Sequence, residues 1–79
     1  MKIEESVDIN HQLGARIRFL RTSAKLTLEV LAFNSSINTN YLSDLERGNR
    51  NPTIKVLNRI ANGLNISLSE LLLGIREEN

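Results

Sequence analysis

The sequence predicts an all-α fold of five short helices. Apolar residues recur three and four positions apart along most of the chain, which is the spacing of one helix face, and no segment alternates as a strand would. A chain of 79 residues is long enough for one domain with one small core, and a bundle of short helices suits that length. Polar residues suited to cap a helix precede four of the apolar segments, at Thr27, Asn38, Thr53 and Ser67.

The first two predicted helices are joined by a short connection. Residues 9 to 24 show helical apolar spacing with three arginines between the apolar positions, which predicts an amphipathic helix. Thr27 is placed to cap a second helix, with Glu29 in its first turn. Residues 34 to 36, Asn-Ser-Ser, interrupt the pattern because these side chains compete for backbone hydrogen bonds. We therefore expect the second helix to be short.

A third helix is predicted to begin at Asn38 as its N-cap. Ile37, just before the cap, can pack on Leu42 as a hydrophobic staple. Leu42 and Leu45 are then expected to face the core. Gly48 follows the last periodic residue and suits the left-handed position that ends a helix.

The last two helices are predicted from their start signals. Pro52 favours an extended entry, Thr53 caps the fourth helix, and that helix ends near residues 62 to 63. Ser67 with Glu70 forms a capping box for the fifth. The expected apolar residues are Ile54, Leu57, Ile60, Ala61 and Leu64 in the fourth helix and Leu68, Leu71, Leu72 and Ile75 in the fifth.

These helices divide the chain into one domain and two short ends. We expect the domain to run from residues 9 to 76, with a flexible acidic N-terminus at 1 to 8 and a tail at 77 to 79. At this length we expect neither a separate ligand-binding domain nor a small-molecule effector. No stretch is long enough to span a membrane and the N-terminus lacks a signal peptide pattern, so we expect a cytoplasmic protein.

Composition and charge narrow the class of function. The chain has no cysteine and one histidine, His11, so we expect no metal site, and its dispersed carboxylates predict neither an enzyme nor a cofactor. Residues 1 to 13 and 60 to 79 each carry a net charge of −2, whereas residues 14 to 59 carry +5. A basic middle favours one side that faces a polyanion, and scattered solvated charges are the alternative.

The second and third helices have the layout of a helix-turn-helix motif. They are three or four residues apart, and the second of the pair shows short polar side chains outward. A helix fits the major groove of B-DNA, where amide, hydroxyl and carboxylate groups can hydrogen-bond base edges. With Leu42 and Leu45 in the core, the outward face carries Thr39, Asn40, Ser43, Asp44 and Arg47.

The chain resembles a known family from about Leu13 to Leu73. The resemblance is carried by the segments "LGARIRFLR", "LTLEVLA" and "YLSDLERGNRNPTIKVLNRIANGLNISLSELL". They are similar to the repressor-like helix-turn-helix domains of bacteria and phages, the xenobiotic-response-element or Cro/C1 type. The resemblance implies a five-helix bundle whose third helix enters the major groove of double-stranded DNA, and homodimers that bind palindromic operators. The length resembles that of restriction-modification controller proteins.

The resemblance also assigns roles to individual residues. Thr39 and Asn40 match base-reading positions at the start of the recognition helix, and Asp44 matches one a turn later. Arg21 and Glu46 match a buried ion pair that ties the first helix to the third. The positions that match contacts to phosphate or flanking bases are Asn38, Tyr41, Asn49 and Arg50.

Asp44 has two interpretations, because a carboxylate near DNA repels phosphate. It either accepts a hydrogen bond from the N4 of cytosine or pairs with Arg47 three residues along the helix, and we favour the pairing. Departures from the family pattern also stand at Leu28, where a phosphate-binding Gln is common, and at Ser35 and Ser36, where a small or apolar residue and then Gly are usual. We expect these departures to affect affinity more than fold.

The fifth helix carries more apolar residues than one core-facing stripe requires. We expect part of the surface formed by Leu71, Leu72, Leu73 and Ile75 to pack against a second copy, although all of it could instead cap the monomer core. The sequence therefore predicts a transcriptional regulator that binds a palindromic operator as a homodimer, with residues 38 to 46 in the major groove. The alternative is a protein-interaction module, antitoxin-like or adaptor, on the same fold.

Overall fold

A computed structural model describes residues 8 to 76, which fold into five α-helices. This confirms the all-α class, since the described residues contain no strand. Residues 1 to 7 of the predicted flexible N-terminus (1 to 8) and the predicted tail 77 to 79 lie outside the described residues. The helices are α1 (Ile9–Ser23), α2 (Leu28–Ser35), α3 (Thr39–Glu46), α4 (Ile54–Gly63) and α5 (Leu68–Leu71).

Each helix begins at a polar cap. Thr27, Asn38, Thr53 and Ser67 accept hydrogen bonds from backbone N–H groups of the first turn, as the sequence predicts. Asp8, which the prediction assigned to the flexible N-terminus, caps α1 by accepting the N–H of His11 at 3.0 Å. This backbone hydrogen bond lowers the pKa of the Asp8 carboxyl. Asp8 therefore has a defined role at the start of α1.

Three details of the predicted helices are wrong. α2 continues through Ser35 and ends where Ser36 adopts a left-handed φ of 58°. α5 has only four residues, because the chain after Leu71 turns and Gly74 takes a φ of 87°. Ile54, expected on the apolar face of α4, is 60% exposed because it occupies the first position of that helix.

All five helices contribute to one apolar core. α1 packs mainly on α3, and α2 packs mainly on α4. Burying a leucine or isoleucine side chain stabilises a fold by about 1.5 to 3 kcal/mol. The core consists of Leu13, Ile17, Leu31, Ala32, Leu42, Leu45, Leu57, Ile60, Ala61, Leu64 and Leu71.

The backbones of α1 and α3 touch at Gly14. A Cβ atom on this residue would collide with the carbonyl oxygen of Leu45 and would lie 2.6 Å from that of Glu46. Both obstacles are backbone atoms of α3, which cannot rotate away as a side chain would. Gly14 is therefore the residue that lets α3 lie directly against α1.

Polar side chains of α1 hold the C-terminal end of the domain. The Gln12 amide exchanges two hydrogen bonds with the backbone of Arg76, of 3.0 and 2.8 Å. Arg16 donates to the carbonyl oxygens of Glu70 and Leu71, at 2.8 and 3.2 Å. These carbonyls belong to the end of α5, and that of Glu70 also accepts the N–H of Leu73 at 3.2 Å, so Arg16 reinforces the turn that ends the helix.

Ser35 is a buried polar residue at the end of α2. It is 2% exposed, and its hydroxyl has no hydrogen-bond partner within residues 8 to 76. The hydroxyl faces Gly63, where an added Cβ would strike it. Leaving a buried hydroxyl without a partner costs about 1 to 3 kcal/mol relative to a solvated one.

We expect Ser35→Ala to raise the free energy of unfolding by about 1 kcal/mol, because it removes an unsatisfied polar group. The measurement is urea denaturation at one protein concentration. Ser23→Ala is the matched control, since Ser23 is the last residue of α1 and is exposed. We expect the control to change stability by no more than about 0.5 kcal/mol. A loss of stability in Ser35→Ala would show that the hydroxyl is satisfied.

Candidate nucleic-acid interface

A tight turn joins α2 to α3. It contains Ser36, Ile37 and Asn38, so the predicted helix-turn-helix spacing is confirmed. The N–H of Ile37 donates to the carbonyl of Ala32 at 3.0 Å, and that of Ser36 donates to Phe33 at 3.2 Å. Ile37 then packs against the core. These contacts fix the angle at which α3 leaves the turn.

α3 has one buried face and one polar face. Leu42 and Leu45 are fully buried, as predicted. The Asn38 side-chain oxygen accepts the N–H groups of Asn40 and Tyr41 at 2.7 and 3.2 Å, so its amide NH₂ is the part left for another molecule. The outward face holds Asn40 and Arg47, which are exposed, and Thr39, Ser43 and Asp44, which are half-buried.

The far end of α3 is tied to α1 by the expected ion pair. Arg21 donates from Nε to one oxygen of Glu46 at 2.7 Å and from Nη2 to the other at 3.0 Å. Its third nitrogen donates to the carbonyl of Leu26 at 2.9 Å. The side chains are 12% and 5% exposed, and the hydrogen bond to Glu46 raises the pKa of Arg21. This pair connects α1, α3 and the start of the connection to α2.

Asp44 lies at the centre of a polar cluster on the outward face. Its carboxylate contacts Arg47 at 2.6 Å, as predicted, and also Arg50 at 3.4 Å. Arg47 donates a second hydrogen bond to Ser43 at 2.9 Å. The Arg50 guanidinium lies over the Tyr41 ring, 5.2 Å from its centre. We call these five residues the Asp44 cluster.

The contact between Asp44 and Arg50 is not predicted by the sequence. Helix spacing predicts pairs three and four residues apart, whereas this pair is six apart and crosses the end of the helix. Gly48, with a φ of 82°, turns the chain, and the N–H of Asn49 donates to the carbonyl of Asp44 at 2.9 Å. This closure folds Arg50 back onto α3. The Asn49 side chain stays exposed beside it.

The arginines of α1 do not form one free basic surface. Arg16 is engaged with the end of α5, and Arg21 is engaged with Glu46. Arg21 and Glu46 already cancel in the net charge of the middle segment, so only the engagement of Arg16 reduces the positive charge available to a polyanion. The exposed cations in this part of the chain are Arg18, Lys25, Arg47, Arg50, Lys55 and Arg59.

The residues predicted to form a dimer interface differ in how much of each side chain is exposed. Leu71 is fully buried in the monomer core, so its predicted place at the interface is corrected: its methyl groups already pack inside one domain. Leu73 is 67% exposed, because it lies in the turn that follows α5. Leu72 and Ile75 are half-buried.

Neither a membrane span nor a metal cluster is present in the described part of the chain. No helix between residues 8 and 76 is long and apolar enough to cross a membrane. The same residues contain no group of three or more His, Cys, Asp or Glu side chains placed to hold a metal ion.

The sequence and the fold are similar to those of known proteins. Residues 17–71 match the helix-turn-helix family model HTH_3. The chain is 39% identical over 64 residues to the HTH-type transcriptional regulator DdrOP3 of Deinococcus deserti, covering 81% of this chain and 50% of that protein. It is 35% identical over 72 residues to the control protein C.MunI of a Mycoplasma species, covering 90% of this chain and 97% of that protein.

A solved structure extends the similarity to the fold. The crystal structure of the restriction-modification controller protein C.AhdI from Aeromonas hydrophila is similar with a TM-score of 0.77 and 37% identity. The match covers 78% of this chain and 94% of C.AhdI. The chain thus spans half the length of the Deinococcus regulator and nearly the whole length of the two controller proteins.

We expect Glu46→Gln to lower the free energy of unfolding by about 3 kcal/mol, because it leaves the largely buried Arg21 cation without its counter-charge. Urea denaturation at one protein concentration measures the change. Replacing both partners, Arg21→Met with Glu46→Leu, should restore most of the stability, since neither charge then remains buried.

Glu70→Gln is the control for this series, because Glu70 is exposed on α5 and a glutamine also suits its capping-box position. We expect it to change stability by no more than about 0.5 kcal/mol. An equal effect of Glu46→Gln and Glu70→Gln would show that the ion pair does not hold α3 to α1.

Proposed function

The chain belongs to the HTH_3 family of helix-turn-helix proteins, and we propose that it is a transcriptional regulator that binds a palindromic DNA operator as a homodimer. Its relatives are transcriptional regulators and control proteins, which confirms the expectation that the chain is not an enzyme. The observation that carries the proposal is α3 itself. Its apolar face is locked in the core while its first turns show an outward row of amide and hydroxyl groups.

Thr39 and Asn40 are proposed to read base edges. Both lie in the first turn of α3, and Asn40 is exposed. A carboxamide can bind adenine through N6 and N7 together, and a threonine can hydrogen-bond a base or contact the thymine methyl group. Ser43 follows one turn later on the same face and is the third proposed reader.

Phosphate contacts are proposed from groups on either side of this face. Asn38 has its amide NH₂ left, and Tyr41, Asn49 and Arg50 follow on the same side. Leu28 replaces the usual phosphate-binding Gln, but the first N–H groups of α2 have no partner inside the helix and can bind phosphate. Such contacts supply affinity and its dependence on salt.

The proposed dimer interface is the apolar surface around Leu73. Next to it in the chain, Leu72 and Ile75 line a cavity of about 380 Å³ whose other apolar walls include Ile9 and Leu57. An exposed leucine beside an apolar cavity suits a two-fold contact, in which each copy fills the cavity of the other. In such a dimer the two α3 helices would enter successive major grooves, roughly 34 Å apart. We also propose that the protein acts in the cytoplasm.

One observation favours the alternative of a protein-interaction module. Phe33 on α2 is 84% exposed, and Val30, one turn earlier on the same helix, is also exposed. Together the two side chains form a small apolar patch, and exposed apolar patches can mark a site of protein interaction. A protein partner could bind this patch on α2 without the polar face of α3. Selection of bound DNA sequences therefore distinguishes a DNA-binding regulator from a protein-interaction module.

We expect selection from random DNA duplexes to yield a palindrome whose half-sites are about one helical turn apart. Asn40→Ala should lower the preference at one base pair of each half-site about 10- to 100-fold, since a bidentate base contact discriminates by about 1 to 3 kcal/mol. Asn58→Ala is the control, because Asn58 is exposed on α4. The absence of any enriched sequence would contradict the proposal and favour the interaction module.

The dimer interface is tested with Leu73→Asp, which places a charge on the proposed contact. We expect sedimentation to show wild-type protein at twice the chain mass of 8.9 kDa, and the variant to dissociate at least about 30-fold more readily, as for a hot-spot residue. Phe33→Asp is the control, because Phe33 is an even more exposed apolar residue on α2. Dissociation caused by the control but not by Leu73→Asp would move the interface to α2.

A further inference from the structure

The Asp44 cluster assigns a role to its carboxylate. We propose that Asp44 is a positioning residue, which holds Arg50 ready to bind a pair of acceptor atoms on DNA and does not itself read a base. The inference rests on the proposed function. The acceptor pair is either the O6 and N7 edge of guanine or two phosphate oxygens, which share the geometry that an arginine fork recognises.

The orientation of Arg50 is restrained in two directions. Its Nε donates to Asp44 at 3.4 Å, which limits rotation about the long axis of the side chain. Its guanidinium lies over the Tyr41 ring at 5.2 Å from the centre, which sets the plane of the group. The cluster contacts use Nε and the flat face, so the two terminal nitrogens are the edge available to DNA.

Arg47 is held in the opposite way. Its Nη2 contacts Asp44 at 2.6 Å and its Nη1 donates to Ser43 at 2.9 Å, so both terminal nitrogens are turned toward its own helix. The Asp44 carboxylate therefore gives the two arginines different roles. Arg47 uses its terminal nitrogens within the cluster, whereas Arg50 keeps its terminal nitrogens directed away from it. Each carboxylate oxygen already has an arginine partner, which disfavours Asp44 as an acceptor from cytosine.

The charge of the cluster agrees with this role. Two arginines around one aspartate give a net charge of +1, so the repulsion between Asp44 and phosphate is offset. Without the carboxylate, Arg47 and Arg50 lose this shared partner, and both can then contact phosphate groups at any position on a duplex. Asp44 thus lowers attraction to random DNA while it prepares one defined contact, and both effects favour operator over random sequence.

The test is a cycle of four proteins: wild type, Asp44→Asn, Arg50→Ala and the double variant. The measurement is the affinity of each for the selected operator and for a random duplex, across a salt series. We expect Asp44→Asn to bind random DNA several-fold more tightly and to lose about tenfold in the ratio of operator to random affinity. In the Arg50→Ala background the same substitution should change that ratio less than twofold.

Arg50→Ala also tells guanine from phosphate, and either result supports the proposal. Loss of a preference for guanine at one position of each half-site identifies a base edge. Weakening that is equal for all operator variants but smaller for the random duplex, with a salt slope lower by about one per contact, identifies a phosphate that is contacted in the operator complex. Glu70→Gln is the charge-matched control, because Glu70 is exposed on α5 and lies outside the proposed DNA interface, and we expect it to leave the operator-to-random ratio unchanged.

Two outcomes would overturn the inference while the proposed function stands. One is an equal effect of Asp44→Asn with and without Arg50, and the other is loss of preference confined to one cytosine. If wild-type protein selects no operator, the proposed function and this inference fail together. Exposed ion pairs contribute little to stability, so all four proteins should melt at nearly the same temperature by circular dichroism.

Discussion

The contact between α1 and α3 is the constraint on which the outward face depends. At Gly14 the two helices touch without a side chain between them, against the carbonyls of Leu45 and Glu46, and at this same end of α3 the carboxylate of Glu46 accepts two hydrogen bonds from Arg21. Leu42 and Leu45 are fully buried and fix the helix in the core. A short helix of eight residues would be marginal by itself, so these contacts give α3 one direction relative to the core.

The least favourable local features lie where α2 ends and the turn to α3 begins, and not on the outward face of α3. Ser36 adopts a left-handed conformation that favours glycine, and Ser35 buries a hydroxyl without a partner in the described residues. Both belong to the end of α2, where the chain must reverse within three residues. The buried core and the contacts between α1 and α3 maintain this turn, although Ser35 and Ser36 are not the residue types that suit their positions best.

Much of the fold could be predicted from the sequence, because local signals determined it. Thr27, Asn38, Thr53 and Ser67 each cap a helix in the structure, since a short polar side chain can satisfy first-turn N–H groups whatever the tertiary contacts are. The end of α5 was not predicted although Gly74 suits the left-handed position after a helix, because the run of three leucines that begins at Leu71 continues the apolar spacing to Ile75.

The candidate site was predicted less completely. The contact of Arg21 with Glu46 was expected only by resemblance, since 25 residues separate the partners and no local pattern joins them. Asp44 with Arg47 could be predicted from helix spacing, whereas Asp44 with Arg50 depends on the path of the chain after Gly48. Contacts within one helix follow from its period, while contacts across a turn require the geometry of that turn.

The most direct test of the account is a crystal structure of the protein bound to its selected duplex. The account predicts two α3 helices in successive major grooves, with Asn40 at a base edge and with the contacts of Gly14 and of Arg21 with Glu46 unchanged. An α3 helix that lies outside the groove, or one that enters it only after the Arg21 to Glu46 pair breaks, would contradict the account.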